Sequence, residues 1–343
     1  MINLFIKRMV VAVVCPAILF CAASIARAAD KPVEIVVSTP GPRNLTYLPV
    51  DLISKIGADR AEGAVVTVRH FGGGGVALQD LMSRNADFAV AGLPAAMSLR
   101  AHDSKVVVLA PVSGAPLFVL MVRSGLRRQV RTVADLKGKV IGVNTSSLSS
   151  MTTSQQLAML VLKKHGITAG MVHMVPAGQS WDSQSSVLAS GVADAVMGDE
   201  PFASRLKAGN KVFFLVNLAD RNDARSIPGG GFLHAALETR EGLLKQDPLK
   251  AEIMVKILKR TLAWMAKATP EEIADKLAMT DPVEKHWIIH TLKQYPNIYS
   301  SDGRFSRSQL AETERFFRET SIETVPPAFL ESMIRDQWSG RKD

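Results

Sequence analysis

Residues 64–84, AVVTVRHFGGGGVALQDLMSR, indicate the fold class, because a strand pattern passes directly into a glycine turn and then into a helix pattern. Ala64–Phe71 is rich in β-branched side chains, which favours a strand. Gly72–Gly75 interrupts this run, and apolar residues recur at helical spacing in Val76–Arg84. The stretch therefore predicts a strand–turn–helix unit.

The same alternation extends on both sides of this unit. An extended run, Pro32–Ser38, and a helical run, Tyr47–Ile56, precede it. Predicted strands at Asp87–Ala91 and Val106–Pro111 follow, with a helix between them. Strands that alternate with helices at this interval predict a mostly parallel sheet flanked by helices.

A second α/β unit is predicted to begin near residue 117. Its predicted strands are Leu117–Val122, Val140–Asn144, Met171–Val175, Ala193–Met197 and Val212–Val216. From Arg240 onward the pattern is helical, with Ile253, Ile257, Thr261 and Met265 on one face. Because the chain exceeds the usual size of a single hydrophobic core, we expect two domains and a helical C-terminal tail.

The first 28 residues are typical of a cleaved secretory signal peptide. Lys7 and Arg8 precede the apolar run Met9–Ala23, and Ala26-Arg27-Ala28 follows as an A-x-A cleavage site. A retained anchor is the alternative, but the run is shorter than the roughly 20 residues that span a bilayer. Both cysteines lie in this segment, at positions 15 and 21, and each follows a bulky residue, which argues against a lipid anchor. We therefore expect a periplasmic chain without disulfides.

The charge pattern argues against nucleic acid as a partner. The formal net charge is +9, and removal of Lys7, Arg8 and Arg27 with the signal peptide leaves +6. The basic residues are spread along the chain and few aromatic residues lie among them, unlike a nucleic-acid-binding surface. A mild positive field is compatible with collecting an anionic solute.

The loops that follow the strands are the candidate ligand sites, because ligands of parallel α/β sheets bind beyond the carboxyl ends of the strands. The candidates in the first unit are Thr39, Arg43, Asn44, Tyr47, Gly73, Gly74, Leu93 and Pro94. Arg43 is either a bidentate partner for a carboxylate or sulfonate, or a solvated surface arginine. Gly72–Gly75 either lets a ligand approach the backbone or forms only a tight turn. The turn lacks the Lys-Ser/Thr of a Walker loop and the following acid of a dinucleotide site.

Two loops of the second unit complete the candidate set, which adds Ser146, Ser147, Ser149, Trp181 and Glu200. Eight of the eleven residues 144–154 carry hydroxyl groups, more than helix capping requires, so the serines are expected to donate to a bound oxyanion. Trp181 is either an aromatic wall or a residue that covers a helix. Glu200 would hold an ammonium group or order the serines.

No catalytic, metal or cofactor motif is evident in the sequence. His286 and His290 are four residues apart, but the glutamate of the H-E-x-x-H motif is absent between them. No G-x-S-x-G motif occurs either. We therefore expect no cofactor, no metal and no enzymatic activity.

Several segments resemble the periplasmic solute-binding proteins of ABC importers for nitrate, sulfonates, taurine and thiamine pyrimidines. The segments are Phe71–Gly74 with Asn85–Phe88, Thr132–Val143, and Leu188–Ala195 followed by Glu200-Pro201. The resemblance implies a type II fold of two lobes, each a mixed, mostly parallel sheet flanked by helices. Lobe 1 would comprise residues 30–115 and 225–343, and lobe 2 residues 116–224.

The resemblance further implies a function. The lobes would close around a small anionic organic solute, sulfonate-like, taurine-like or carboxylate, and an inner-membrane ABC permease would receive it. Arg43 with Ser146, Ser147 and Ser149 would hold the anion, and Tyr47 and Trp181 would flank the remainder. The chain is expected to be a monomer. The alternatives are a periplasmic sensor and an enzyme of the same fold that acts on a small aromatic or pyrimidine compound.

Overall fold

The computed structural model describes residues 31–114, 116–145 and 151–343. The strands are β1 (Val33–Pro40), β2 (Ala64–Phe71), β3 (Phe88–Gly92), β4 (Val106–Ser113), β5 (Phe118–Arg123), β6 (Val140–Val143), β7 (His173–Pro176), β8 (Ala195–Asp199), β9 (Val212–Asn217), β10 (Ala235–Arg240), β11 (Phe305–Ser306) and β12 (Arg341–Lys342). The helices are α1 (Leu48–Leu52), α2 (Ala58–Ala61), α3 (Gly74–Met82), α4 (Leu93–Ala101), α5 (Thr153–Lys164), α6 (Trp181–Ala189), α7 (Phe202–Ala208), α8 (Arg221–Arg225), α9 (Glu241–Gln246), α10 (Pro248–Met265), α11 (Pro270–Lys276), α12 (Pro282–Gln294) and α13 (Arg307–Thr320).

The first sheet is mixed and has the strand order β2-β1-β3-β10-β4 within the described residues. β1 runs parallel to both β2 and β3, with Val37 opposite Val68 and Phe88. β10 lies between β3 and β4 and is antiparallel to both. This insertion places a late segment of the chain in the middle of the N-terminal sheet.

The second sheet repeats this plan with the order β7-β6-β8-β5-β9. β6 is parallel to β7 and β8. β5 lies between β8 and β9 and is antiparallel to both. Each sheet therefore combines parallel strands joined through helices with one strand of opposite direction.

The predicted fold class, α/β with two sheets of mostly parallel strands and a helical C-terminal region, is confirmed. The strand–turn–helix unit at residues 64–84 is present as β2 and α3. Two local expectations were wrong. The helix expected over Tyr47–Ile56 is confined to Leu48–Leu52 after a 3₁₀ turn, and β10 falls where no strand was predicted.

The C-terminal helices contribute to the core of the first sheet. α10 presents Met254, Ile257 and Leu258, all fully buried, to the face that carries Ile35 and Val37. The predicted helical face through Ile257, Thr261 and Met265 is the buried one. Each such leucine or isoleucine contributes about 1.5–3 kcal/mol through removal from water, so the tail stabilises the N-terminal sheet directly.

The second sheet has its own core, formed on one face by α5. Leu157, Leu160 and Val161 of this helix pack against Ile141 and Met197. Residues Pro32–Asp343 together form one compact unit. In the part of the chain that the structure describes, no helix combines the length and apolar character required to cross a membrane.

Candidate functional site

The candidate site is a small buried cavity between the two sheets, at the carboxyl ends of several strands. Its lining residues are Tyr47, Gly74, Gly92, Ala95, Phe118, Asn144, Thr152, Thr153 and Gln179. The volume of this cavity is about 10 Å³. A single water molecule needs about 10–15 Å³ by the same measure, so the two walls would have to separate to admit an organic solute.

The polypeptide after β1 forms the first wall of the site. Asn44 caps the 3₁₀ turn Leu45–Tyr47, because its Oδ1 accepts a hydrogen bond of 3.0 Å from the Thr46 amide. This bond leaves Asn44 Nδ2, which is buried, without a hydrogen-bond partner. The turn places Tyr47, also buried, against the cavity.

The segment between β6 and α5 forms the opposite wall. Thr152 caps α5 by accepting a 3.3 Å hydrogen bond from the Gln155 amide, and the Asn144 amide donates to Ser154 Oγ over 2.7 Å. These backbone contacts fix the orientation of Asn144 and Thr153. Asn144 Oδ1 and Thr153 Oγ1 are buried and have no hydrogen-bond partner. Two polar atoms at the cavity are therefore available to a ligand.

A buried carboxylate, Asp199 at the end of β8, organises the amide side chains of the site. Gln179 Nε2 donates to Asp199 Oδ1 over 3.1 Å, and Gln184 Nε2 donates to Oδ2 over 2.7 Å. Asn44 and Asn144 lie close enough to favour its charged form, although Asn44 Nδ2 falls short of hydrogen-bond geometry. Desolvation outweighs these donors and raises the pKa of Asp199 to about 6. Asp199 is therefore mostly ionised at neutral pH.

Tyr47 and Phe118 supply the aromatic part of the site. Burial raises the pKa of the Tyr47 hydroxyl, and the nearby Asp199 charge raises it further, so this hydroxyl stays protonated. The Phe118 ring meets the His234 ring edge-to-face with centroids 5.0 Å apart. Apolar ring surface therefore lies beside the polar atoms of Asn144 and Thr153.

Close contacts join the two sides around the cavity. Gln156 Nε2 of α5 donates to the Pro94 carbonyl over 3.1 Å, and the Met151 amide donates to Ser98 Oγ over 3.3 Å. A Cβ atom on Gly73 would lie only 2.3 Å from the Thr145 carbonyl oxygen. The backbone at Gly73 therefore lies directly against the backbone of Thr145 in the opposite loop.

The structure brings only some of the predicted residues to the cavity. Tyr47 and Gly74 line it, and Leu93 and Pro94 begin α4 beside the lining residues Gly92 and Ala95. Asn44 reaches it indirectly through Asp199. Thr39 is buried and donates to the Val90 carbonyl, a bond within the first sheet.

Other predicted residues lie apart from the cavity. Arg43 is nearly half exposed, and its Nε pairs with Glu284 Oε1 at 2.6 Å. Trp181 packs under the Arg205 guanidinium, 3.7 Å from the ring centroid. Glu200 is buried and accepts from the Ser204 hydroxyl and amide. Ser146, Ser147 and Ser149 lie outside the described residues.

Several residues that line the cavity were not among those predicted from the sequence. Asn144, Thr152 and Thr153 belong to the hydroxyl-rich segment, from which only serines were chosen. Gln179 precedes Trp181 in another candidate loop. The signal of the first three was position rather than charge, since Asn144 directly follows β6 and Thr152 and Thr153 lie at the start of α5. Phe118 carried no such signal.

Two mixed α/β sheets with a cavity between their strand ends match the fold of periplasmic binding proteins. The NMT1/THI5-like family model matches residues 60–273, and the chain belongs to this family. No curated protein matches the chain. The resemblance suggested by the sequence is thereby confirmed at the level of this family model and of the periplasmic-binding-protein fold.

Solved structures with the same fold share little sequence with this chain. A protein from Bordetella bronchiseptica RB50 is 22% identical, with a TM-score of 0.79 over 90% of this chain and 96% of that one. The alkanesulfonate-binding protein SsuA from Xanthomonas axonopodis pv. citri, bound to MOPS, is 16% identical, with a TM-score of 0.69 over 89% and 99%. The nitrate-binding protein NrtA from Synechocystis PCC 6803 is 13% identical, with a TM-score of 0.59 over 74% and 69%. The desulfurization enzyme DSZB has the same fold at a TM-score of 0.58 and 15% identity, over 89% of this chain and 97% of that one.

Proposed function

We propose that this protein is the solute-binding component of an ABC importer and encloses one small solute between the two walls of this cavity, which separate to admit it. The observation that carries this proposal is the pair of unpartnered buried atoms, Asn144 Oδ1 and Thr153 Oγ1, at the cavity. A buried polar atom without a partner costs about 1–3 kcal/mol, and a bound solute would recover that cost. The membership of the family supports the same function.

The proposed mechanism is a population shift between an open and a closed arrangement of two lobes. Lobe 1 would comprise residues 30–115 and 225–343, and lobe 2 residues 116–224. The chain passes between the two sheets after Ser113 and again after Asn217. The solute would favour the closed form by contacting both walls, and the permease would recognise that form.

The location, partner and assembly proposed here follow from the sequence. A signal peptide over residues 1–28 would export the chain to the periplasm as a monomer, where it meets the permease. A receptor that reads the loaded protein is the competing partner. Deletion of the gene would abolish solute uptake if the partner is a permease, but only a signalling response if the partner is a receptor.

An enzymatic function has weaker support from the site. Outside residues 1–28 the chain has no cysteine nucleophile. The raised pKa of Tyr47 keeps its hydroxyl protonated, so it is suited to hydrogen bonding and unsuited to act as a base. The fold of DSZB nevertheless shows that an enzyme can share this architecture. Recovery of a bound compound in altered form would favour an enzyme.

A thermal-shift screen tests the proposed function. A solute that binds only the folded protein raises the melting temperature by mass action. The screen contains sulfonates, carboxylates, nitrate, pyrimidines, amides and amidines, because the sequence suggested an anion while the family includes binders of different charge. At least one class should stabilise the protein with saturable dependence on concentration. A melting temperature that no class changes would contradict solute binding.

A further inference from the structure

We propose that the bound solute is a small nitrogen-containing molecule, uncharged or cationic, whose N–H groups donate hydrogen bonds to Asn144 Oδ1 and Thr153 Oγ1. This inference rests on the proposed solute-binding function and assigns the chemical class of its solute. It differs from the anionic solute that the sequence suggested.

The charge of the cavity supports a donor-bearing solute. None of the described lining residues is a lysine or arginine. Arg43, the residue expected to bind an anion, is held by Glu284 outside the cavity. An enclosed anion would therefore gain no cationic side chain from these residues, and only N–H groups at the starts of α3, α4 and α5 would replace its hydration.

Asp199 gives the site its polarity. An ionised carboxylate only accepts hydrogen bonds, so the amide nitrogens of Gln179 and Asn144 face Asp199, and Asn144 Oδ1 is left as an acceptor. Gln184 is oriented in the same way, and its Oε1 accepts from the Asp199 amide over 3.3 Å. Asp199 is thus a positioning residue that directs the amide nitrogen atoms of Gln179 and Gln184 toward its own carboxylate.

The orientation leaves acceptor atoms at the cavity. Asn144 Oδ1 is buried, lines the cavity and has no hydrogen-bond partner. Thr153 Oγ1 is equally buried and unpartnered, and a hydroxyl oxygen accepts as readily as it donates. The negative charge of Asp199 behind these atoms favours a cation and opposes an anion. Amidines, guanidines and primary amides have the required N–H groups.

Three probes of nearly equal shape separate the possibilities. Acetamidinium is a cation with N–H donors only, acetamide is neutral with donors and one acceptor, and acetate is an anion with acceptors only. Binding of each is measured by calorimetry at pH 7.5, with benzamidinium, benzamide and benzoate as a larger series. Methanesulfonate and nitrate represent the anions expected from the sequence.

We expect acetamidinium to bind about tenfold or more tightly than acetate, with acetamide between them, because charge-assisted hydrogen bonds are the stronger ones. Thr153→Val should weaken acetamidinium roughly three- to tenfold. The matched control is Thr291→Val, since Thr291 is also a buried helical threonine but its hydroxyl bonds to the Trp287 carbonyl, outside the cavity. The control should leave the affinity unchanged.

The outcomes distinguish this inference from the function on which it rests. Preferential binding of acetate, benzoate, methanesulfonate or nitrate would overturn the donor-bearing solute and leave solute binding intact. Equal loss of affinity in Thr153→Val and Thr291→Val would also overturn the assigned contact. Absence of binding in both probe series would overturn the inference, and a screen without any stabilising solute would overturn the function as well.

Discussion

Gln179 Nε2 donates a 3.1 Å hydrogen bond to Asp199 Oδ1, and this bond joins the loop that precedes α6 to the end of β8. Both residues are at least 98% buried. The same carboxylate accepts from Gln184 and lies close to Asn144, so one charge orders the amide side chains of its own wall, and Asn44 of the opposite wall lies near it. The site thus depends on a buried ionised group whose charge is costly to maintain.

Asp199→Asn should change how stability depends on pH. Burial raises the pKa of Asp199 from 3.8 to about 6, so the folded state holds this proton more tightly than the unfolded state. The free energy of unfolding therefore falls as pH rises from about 4 to about 6, by about 3 kcal/mol for this group alone. The amide side chain of the variant does not titrate, so its free energy of unfolding lacks this dependence on pH. Urea unfolding of the solute-free protein at several pH values measures the difference between the two proteins.

The difference curve isolates Asp199 from other acids. Hydrogen bonds lower the pKa values of Asp194 and Asp302, which act in the opposite sense at lower pH in both proteins. A wild-type stability that runs parallel to that of Asp199→Asn between pH 4 and 6 would show that burial does not raise this pKa.

Gly73→Ala should disfavour closure. The added Cβ would lie 2.3 Å from the Thr145 carbonyl oxygen and 2.8 Å from its nitrogen, and backbone atoms cannot give way cheaply. The affinity for a solute identified by the screen should fall about tenfold or more, while the melting temperature of the solute-free protein changes little. Gly170→Ala is the matched control, because its Cβ would meet nothing within 4 Å. Similar affinities in the two variants would contradict a role of Gly73 in closure.

Arg43→Ala should have little effect on solute binding. Its guanidinium pairs with Glu284 at the surface, and such pairs contribute only about 0–1 kcal/mol to stability. We expect an affinity within roughly twofold of wild type by calorimetry, since 0.4 kcal/mol corresponds to that factor. A large loss confined to anionic solutes would instead restore the sequence-based assignment of Arg43 to the anion.

The fold was readable from the sequence wherever one strand–helix unit was sufficient to define it. β2 and α3 follow from β-branched residues, a glycine turn and helical spacing within one short stretch. β10 was missed because Ala235–Arg240 combines alanine, glutamate and threonine without a strand pattern. Its conformation is set by pairing with β3 and β4, which lie more than 100 residues earlier in the chain.

The site was readable only as a set of loops. Asn144 and Gln179 are in loops that composition singled out, but their contact with Asp199 depends on how three strand ends converge. Arg43 attracted attention through its charge, and its partner Glu284 lies 241 residues further along the chain. A pattern within a short stretch of sequence gives no information about contacts between residues so far apart in the chain.

Export should remove the first 28 residues. A signal peptide is cleaved after a small residue, and Ala28 provides one after Ala26. The intact mass of protein from the periplasmic fraction should correspond to residues 29–343. Ala28→Trp should retain the segment and leave the chain with the membrane fraction. Recovery of the full-length chain from the periplasm would contradict cleavage.

Native mass spectrometry of the protein purified without refolding tests solute capture most directly. Wild type should carry one small molecule per chain, released chemically unchanged on denaturation, if Asn144 and Thr153 bind a solute as proposed. A variant with both Asn144→Ala and Thr153→Val should fold and carry none, whereas Thr291→Val should keep it. The account would be contradicted by a wild-type protein that carries no small molecule even after addition of each solute that stabilises it. It would also be contradicted by release of a chemically altered product.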